Sequence, residues 1–328
     1  METIEIALAA NESYVCGLFV TACSIAEHCD KAYGLRFNVL DSEISDADKK
    51  FVEEKVRALH ANSSFRWIPV NEQMFAGLQK WNGGYMVYTR LLLPKLLSDC
   101  DWAIYCDCDF LWLRDVAELW RERDERYGVI STVDGSSVIL NEDAPWFKAN
   151  GFPFDLTTYF CAGLTFFNLK MFREKGWQER CLELLQTHPP YNDQSVLNVV
   201  TEGVKKLLPK PKWQCFTLEL SQKEMNDGVV IHYAGEIPWK PFGKHGMISG
   251  SFYLWHQMNA RYRGISTWQS LRMFYSTWDI VRHRAPYYFW RLPGTIGALR
   301  IVCRVLGKSP AVWQMLAART RRLVVGEG

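Results

Sequence analysis

Two aspartates set one residue apart, Asp107 and Asp109, interrupt the apolar run of "YCDCDFLWLRD" (residues 105–115) before it resumes as Phe-Leu-Trp-Leu. Carboxylates that close repel each other and lose hydration, so the pair needs a strong positive charge between its members or an exposed strand end. Two apart on a strand, both side chains leave from one face. Hard oxygen donors in that geometry suit Mg²⁺ or Mn²⁺, above all a cation that also grips phosphate oxygens. Downstream, His232 follows the apolar "GVVI", and an imidazole completing the sphere tilts the preference toward Mn²⁺. Gly235 allows close backbone approach to a ligand, while Lys240 and Lys244 bring charge that offsets a diphosphate. A D-x-D alone reads as a surface strand end or helix cap, and a lone histidine after a strand as a structural residue. Their order along the chain is what points to metal-assisted chemistry on a phosphate ester.

The elements around them supply the position. "IEIALAA" reads as a buried strand and "SYVCGLFVTACSIAEHC" as the helix after it; "LRFNVLDS" and "FRWIPV" read as strands around the charged helix "SDADKKFVEEKVRALH". "YTRLLLPKLL" is a helical run interrupted by Pro94, and "WAIYCDCDF" is a fourth strand. Alternating strands and helices predict a parallel, doubly wound α/β sheet, whose ligands lie at the C-terminal strand ends. The aspartate pair sits at such an end. "YGVISTVDG" and "AGLTFFNLKMF" add strand candidates, "YNDQSVLNVVTEG" enters a helix from a loop, and "GVVIHYAGEIPWKPFGKHG" is a strand followed by a Gly/Pro-rich loop.

Composition is globular, with 48% hydrophobic and 23% charged residues over 328 positions, which excludes wholesale disorder. Ten cysteines are scattered without a C-x-x-C pair, so a zinc ribbon or a redox dithiol is not expected, and a reduced, cytoplasmic protein is. "METIEIALAA" has no basic n-region, and no segment has the length of a membrane span. The net charge of +2 hides an asymmetry: from Arg261 onward arginines recur against only Asp279 and Glu327, so the preceding body is net acidic.

The quoted stretches, taken in order with "ALAANESY", "FNVLDSEIS", "YFCAGLTFFNLKMF", "YNDQSVLN" and "IHYAGEIPW", resemble glycosyltransferase family 8, the glycogenin and lipopolysaccharide galactosyltransferase group. The resemblance runs from the first strand to about Gly246. It implies a GT-A fold, a Rossmann-like α/β architecture with a mostly parallel central sheet, over residues 1–250; residues 251–328, beyond the resemblance, read from their composition as a basic aromatic helical region. It also implies a retaining hexosyltransferase that uses a UDP-sugar with Mn²⁺ (Mg²⁺ as the substitute). Carried over by position, Asp107, Asp109 and His232 are the metal ligands, and Asn11 and Ser13 meet the nucleotide. Arg90 touches the donor sugar, Asp134 lies near donor and acceptor, and Asp193 and Gln194 stand beside the anomeric carbon. Retention then follows from Gln194 as a covalent nucleophile or from same-face attack with the leaving phosphate as base; the poor nucleophilicity of an amide favours the latter. Two departures stand out. The family's Asn-Ala-Gly sugar-binding turn reads Cys161-Ala162-Gly163, and the family's diphosphate lysine position holds Pro238, so Lys240 or Lys244 takes that part.

The C-terminal region interleaves Phe252, Tyr253, Trp255, Tyr262, Trp268, Tyr275 and Trp278 with arginines. That mixture suits the interface of an anionic bilayer; it also suits a plain helical core or single-stranded nucleic acid. Nothing in the catalytic constellation calls for nucleic acid. The expectation is therefore transfer of galactose or glucose from a UDP-sugar donor to a lipopolysaccharide-type or other lipid-linked glycan acceptor, by a cytoplasmic enzyme attached peripherally to the inner face of the plasma membrane. Two alternatives are a membrane-associated UDP-sugar-binding protein without turnover and a haloacid-dehalogenase-like phosphatase. The phosphatase motif lies near the N-terminus with Thr or Val where Leu111 stands here.

Overall fold

The structure, a computed structural model, describes residues 1–81, 83–217, 222–235, 237–240 and 250–280. It falls into two compact units, Met1–Gln214 and the chain from Cys215 onward.

In the first unit, β1 (Thr3–Asn11), α1 (Val15–His28), β2 (Gly34–Ser42), α2 (Asp46–Leu59) and β3 (Ser63–Pro69) alternate as the sequence predicts. They are followed by α3 (Leu93–Leu96), β4 (Trp102–Cys106), β5 (Phe110–Trp112), α4 (Val116–Trp120) and β6 (Val129–Val133). Next come α5 (Ser137–Glu142), α6 (Ala144–Ala149), β7 (Phe160–Asn168), α7 (Leu169–Lys175), α8 (Trp177–Leu185), α9 (Asn192–Val200) and β8 (Lys205–Leu208). One seven-stranded sheet has the order β3-β2-β1-β4-β7-β6-β8. All strands are parallel except β7, which runs antiparallel to both neighbours, β4 and β6. β1 is covered on both faces, which is why it reads as a continuous apolar run and not as an alternation. It pairs with β2 from Thr3↔Gly34 to Asn11↔Ser42, so both strands end together beside Asn11.

Three local outcomes differ from the sequence reading. The fourth strand, expected to run through Phe110, ends at Cys106, and Asp107–Asp109 form the turn before β5. Aspartate is disfavoured within strands, and the Asp107 N–H leaves the ladder to donate to Gly163 O at 2.8 Å. The pair is thus presented from a turn and not from one strand face. Pro94 interrupts nothing: a 3₁₀ stretch over Met86–Leu92 precedes it and it stands in the first turn of α3, where a missing N–H is harmless. The reversal of β7 is the third difference.

The second unit contains β9 (Cys215–Phe216), α10 (Gln222–Asp227), β10 (Val230–His232), α11 (Gly250–Arg263) and α12 (Thr267–Arg272), with β9 and β10 parallel. Ser266 and Gln269 close a capping box at the start of α12. Phe252, Leu271, Tyr275 and Ile280 form an apolar cluster, and Trp255 and Tyr262 are also buried; Trp268 and Trp278 are exposed. Much of the aromatic run up to residue 280 is therefore core. The basic residues after position 280 lie outside the described residues.

Candidate active site

The 3₁₀ stretch of Met86–Leu92 drives Arg90 inward, where its side chain is only 3% exposed. Its Nη2 donates to Asp107 Oδ1 at 2.8 Å and its Nη1 to Ala162 O at 2.7 Å. Nε is shared between Val87 O at 3.0 Å and Asp193 Oδ2 at 3.1 Å. The guanidinium stacks on the Tyr105 ring 4.3 Å from its centroid, and the Tyr105 hydroxyl donates to Asp107 Oδ1 at 2.8 Å. Burial opposes the charge on Arg90, but the carboxylates of Asp107 and Asp193 outweigh it and raise its pKa. Burial pushes the Asp193 carboxyl up to about 6, the Arg90 charge drawing it down and Asp107 pushing it further up. One guanidinium serving two carboxylates leaves the set net negative, a setting that attracts a cation.

Gln194, in the first turn of α9, accepts from the Ala162 N–H through Oε1 at 2.8 Å and donates from Nε2 to Asp134 Oδ2 at 3.2 Å. Asp134 is held through its own N–H, which donates to Tyr159 O at 2.9 Å. The reversed β7 makes this possible, since its first residues lie beside the last residues of β4. Cys161 and Gly163 act here through their carbonyls, which accept from Ser131 Oγ at 2.9 Å and from the Asp107 N–H at 2.8 Å. Asn198 clamps α9 to the same strand, with Nδ2 to Phe160 O at 2.9 Å and Oδ1 from the Phe160 N–H at 3.0 Å. Beneath it, buried Asp143 accepts from Tyr159 OH at 2.6 Å and Ser195 Oγ at 2.8 Å.

Beside this set opens a cleft of about 260 Å³ in the first unit. Asn11, Ser13, Arg90, Asp107 and Asp109 line it, as do Ala9, Ala10, Tyr105 and Cys108. Asn11 Oδ1 accepts from both the N–H and the hydroxyl of Ser13, at 3.2 and 2.8 Å, which fixes the chain as it leaves β1. The opposite wall, Glu72, Trp81, Gly83, Gly84, Met86 and Val87, went unrecognised in the sequence. Its one hint was the glycine pair, and Glu72 fastens it by accepting from the Tyr85 N–H at 2.6 Å.

In the second unit His232 closes β10, Gly235 adopts a positive φ of 76°, and the Lys240 N–H donates to Ile237 O at 3.1 Å. Lys244 lies outside the described residues. Asp107 and Asp109 in the first unit and His232 in the second are, each within its own unit, carboxylate and imidazole donors of the types that ligate a metal ion. Hard oxygens with one imidazole match Mn²⁺ or Mg²⁺.

The profile of glycosyl transferase family 8 matches residues 5–243. General stress protein A of Bacillus subtilis is 23% identical over 266 residues, covering 74% of this chain and 90% of that protein. A putative glycosyltransferase of Haemophilus influenzae is 26% identical over 212 residues, 63% of this chain and 62% of the relative. Among solved structures, the galactosyltransferase LgtC in complex with donor and acceptor sugar analogs matches with a TM-score of 0.60 at 24% identity, over 79% of this chain and 96% of that one. That likeness is one of fold.

Proposed function

Because the chain belongs to glycosyltransferase family 8, we propose that it is a retaining hexosyltransferase that moves galactose or glucose from a UDP-sugar onto a lipopolysaccharide-type or other lipid-linked glycan. The carrying observation is the hydrogen-bonded set Asp107–Arg90–Asp193 and Asp134–Gln194–Ala162 beside the cleft. Asn11 and Ser13 sit at the end of β1, where the nucleotide would be met, and Asp107, Asp109 and His232 are the side chains that would hold a divalent cation. A divalent cation held by those residues, Mn²⁺ in this reading, would supply charge neutralisation to the diphosphate leaving group.

The remaining steps belong to side chains. Arg90 donates to both the Asp193 carboxylate and the Ala162 carbonyl and fixes these two acceptors, so the sugar meets a preorganised polar wall. The Asp193 carboxylate stabilises positive charge developing on the anomeric carbon. Gln194 Oε1 already accepts the Ala162 N–H, which withdraws electron density from the amide oxygen. That favours same-face attack, with the leaving phosphate taking the acceptor proton, over a covalent sugar–Gln194 adduct. Exposed Trp268 and Trp278 support peripheral contact with the inner face of the plasma membrane. Among the described residues no helix is long and apolar enough to cross a membrane.

UDP release measured over a panel of UDP-sugars, with and without Mn²⁺, tests the reading. Metal-dependent release from one hexose donor is expected; no release from any donor, with glycolipid acceptors also supplied, would sink it. The pH profile adds a second check. Asp193 takes up a proton as pH falls through about 6, so kcat/KM should decline about tenfold per unit below that point. The same group works the other way on stability. Its folded pKa lies above the unfolded value of about 4, so its contribution is fully present below about pH 4 and is lost as pH rises through 6. A melting curve followed in parallel should thus show that Asp193 protonation does not unfold the chain, and a flat profile down to pH 5 would remove Asp193 from the reacting set.

A further inference from the structure

Residues 230–240 carry His232, Gly235 and Lys240 and lie inside the family match, which ends at residue 243; α11 and α12 lie beyond it. Yet polar side chains from α11 and from the turn after α12 end on the backbone of that segment. The hydroxyl of Tyr275, 5% exposed, lies 2.6 Å from Pro238 O and 2.8 Å from Lys240 O. Fully buried His256 brings Nε2 to 3.0 Å from Pro238 O and Nδ1 to 2.9 Å from Ser270 Oγ. Ser270 Oγ accepts from Asn259 Nδ2 at 2.8 Å, and Asn259 Oδ1 accepts from Arg263 Nε at 2.9 Å. Burial pushes His256 down to about 3, so its ring is neutral. Pro238 O can only accept, which puts the ring proton on Nε2 and leaves Nδ1 to accept the Ser270 hydroxyl. Each donor from Arg263 to His256 then has its acceptor, and the chain terminates on one carbonyl.

Two further contacts reach the same segment. Trp239 lies against Trp255, ring centroids 5.4 Å apart, and Tyr233, next to His232, donates its hydroxyl to Ser251 O at 2.7 Å. A helix pair that only closed a core would bury apolar side chains. Here His256, Asn259 and Ser270 are buried in a relay whose end point is the backbone of Pro238.

We propose that α11 and the turn after α12 form a positioning element for donor binding, with Tyr275 and His256 holding the backbone of Pro238–Lys240 and, through it, Lys240. The inference rests on the donor reading above and adds positioning residues beyond the family match. Gly235, at positive φ, lets the chain turn after β10, and the two side chains fix where it goes next.

Tyr275→Phe in the full chain removes only the hydroxyl and leaves the ring in its cluster with Phe252 and Leu271. KM for the UDP-sugar should rise about fivefold, the size of one lost hydrogen bond, with kcat within about twofold. Ser270→Ala, which removes the proton donor to His256, should shift KM in the same direction. In a Lys240→Ala background Tyr275→Phe should have little further effect, because residues that act through one another are non-additive. An unchanged KM, or the same fivefold rise in the Lys240→Ala background, overturns the proposal. If the wild-type chain binds no UDP-sugar, the donor reading fails by itself. Hydrogen exchange at the Lys240 amide then decides the positioning claim, which stands if exchange quickens in Tyr275→Phe and falls if it does not.

Discussion

Asp109→Ala is expected to lose metal-dependent UDP release by about a thousandfold while the protein stays folded. The charge stabilisation a bound divalent ion supplies is worth several kcal/mol, and each 1.4 kcal/mol is about a factor of ten in rate. Asp109 is the cleaner probe of the two aspartates. Asp107 also carries the ion pair with Arg90, the Tyr105 hydroxyl and, through its N–H, the Gly163 carbonyl, so its loss disturbs the polar wall as well as the cation site. Asp109 stands in the turn between β4 and β5 and lines the cleft. Titrating Mn²⁺ into the variant with UDP present should show weakened coupled binding, while the metal-free melting temperature stays near wild type. An Asp109→Ala protein that keeps a tenth of its metal-dependent rate would remove this residue from the ligand set.

Arg90→Ala should be the most destabilising single change in the site. Removing the guanidinium strands the buried Asp193 carboxylate, leaves Asp107 with the Tyr105 hydroxyl, and deprives the Ala162 carbonyl of its Arg90 donor. Breaking a buried pair this way costs about 3–5 kcal/mol, a fall in melting temperature on the order of 10 °C for a unit of this size. Arg90→Lys separates charge from shape. An ammonium keeps the charge but cannot span Asp107, Asp193, Ala162 O and the Tyr105 face at once, so it should recover part of the stability and little of the turnover. Thermal melts of both variants, with UDP-sugar turnover measured alongside, check this; a melt within about 2 °C of wild type for Arg90→Ala would show that the ion pairs carry no weight.

The sequence disclosed the β1–α1–β2–α2–β3 run because β1 and β2 are buried on both faces and the helix between β2 and β3 is plainly amphipathic. The aspartate pair, Arg90 and Gln194 were legible as residue types in an order. Their mutual geometry was not, since it depends on β7 running backwards, and strand direction leaves no mark on the hydropathy of "AGLTFFNLKMF". The cleft wall from Glu72 to Val87 escaped for another reason. It has no sustained helix or strand, so no period announces it, and it is fastened by scattered bonds such as Glu72 to the Tyr85 N–H and the Tyr88 hydroxyl to Gln79 O. Asp143 was invisible because its partners, Tyr159 and Ser195, are 16 and 52 positions away in the chain. In the aromatic C-terminal region, composition alone could not separate rings that fill a core, such as Trp255, from rings that face solvent, such as Trp278.

The hydroxyl and imidazole that end on Pro238 bear on how such a chain can diversify. A lineage that exchanges its C-terminal region to reach a new destination inherits or loses donor affinity according to where the junction falls. A crossover before Tyr275 separates the clamp from its loop, whereas one after Ile280 leaves it whole. On the positioning role proposed for Tyr275 and His256, the effective end of the catalytic body lies about forty residues past Lys240, so that it includes Tyr275 and Ile280. Grafts that respect this boundary should keep their donor while changing their address.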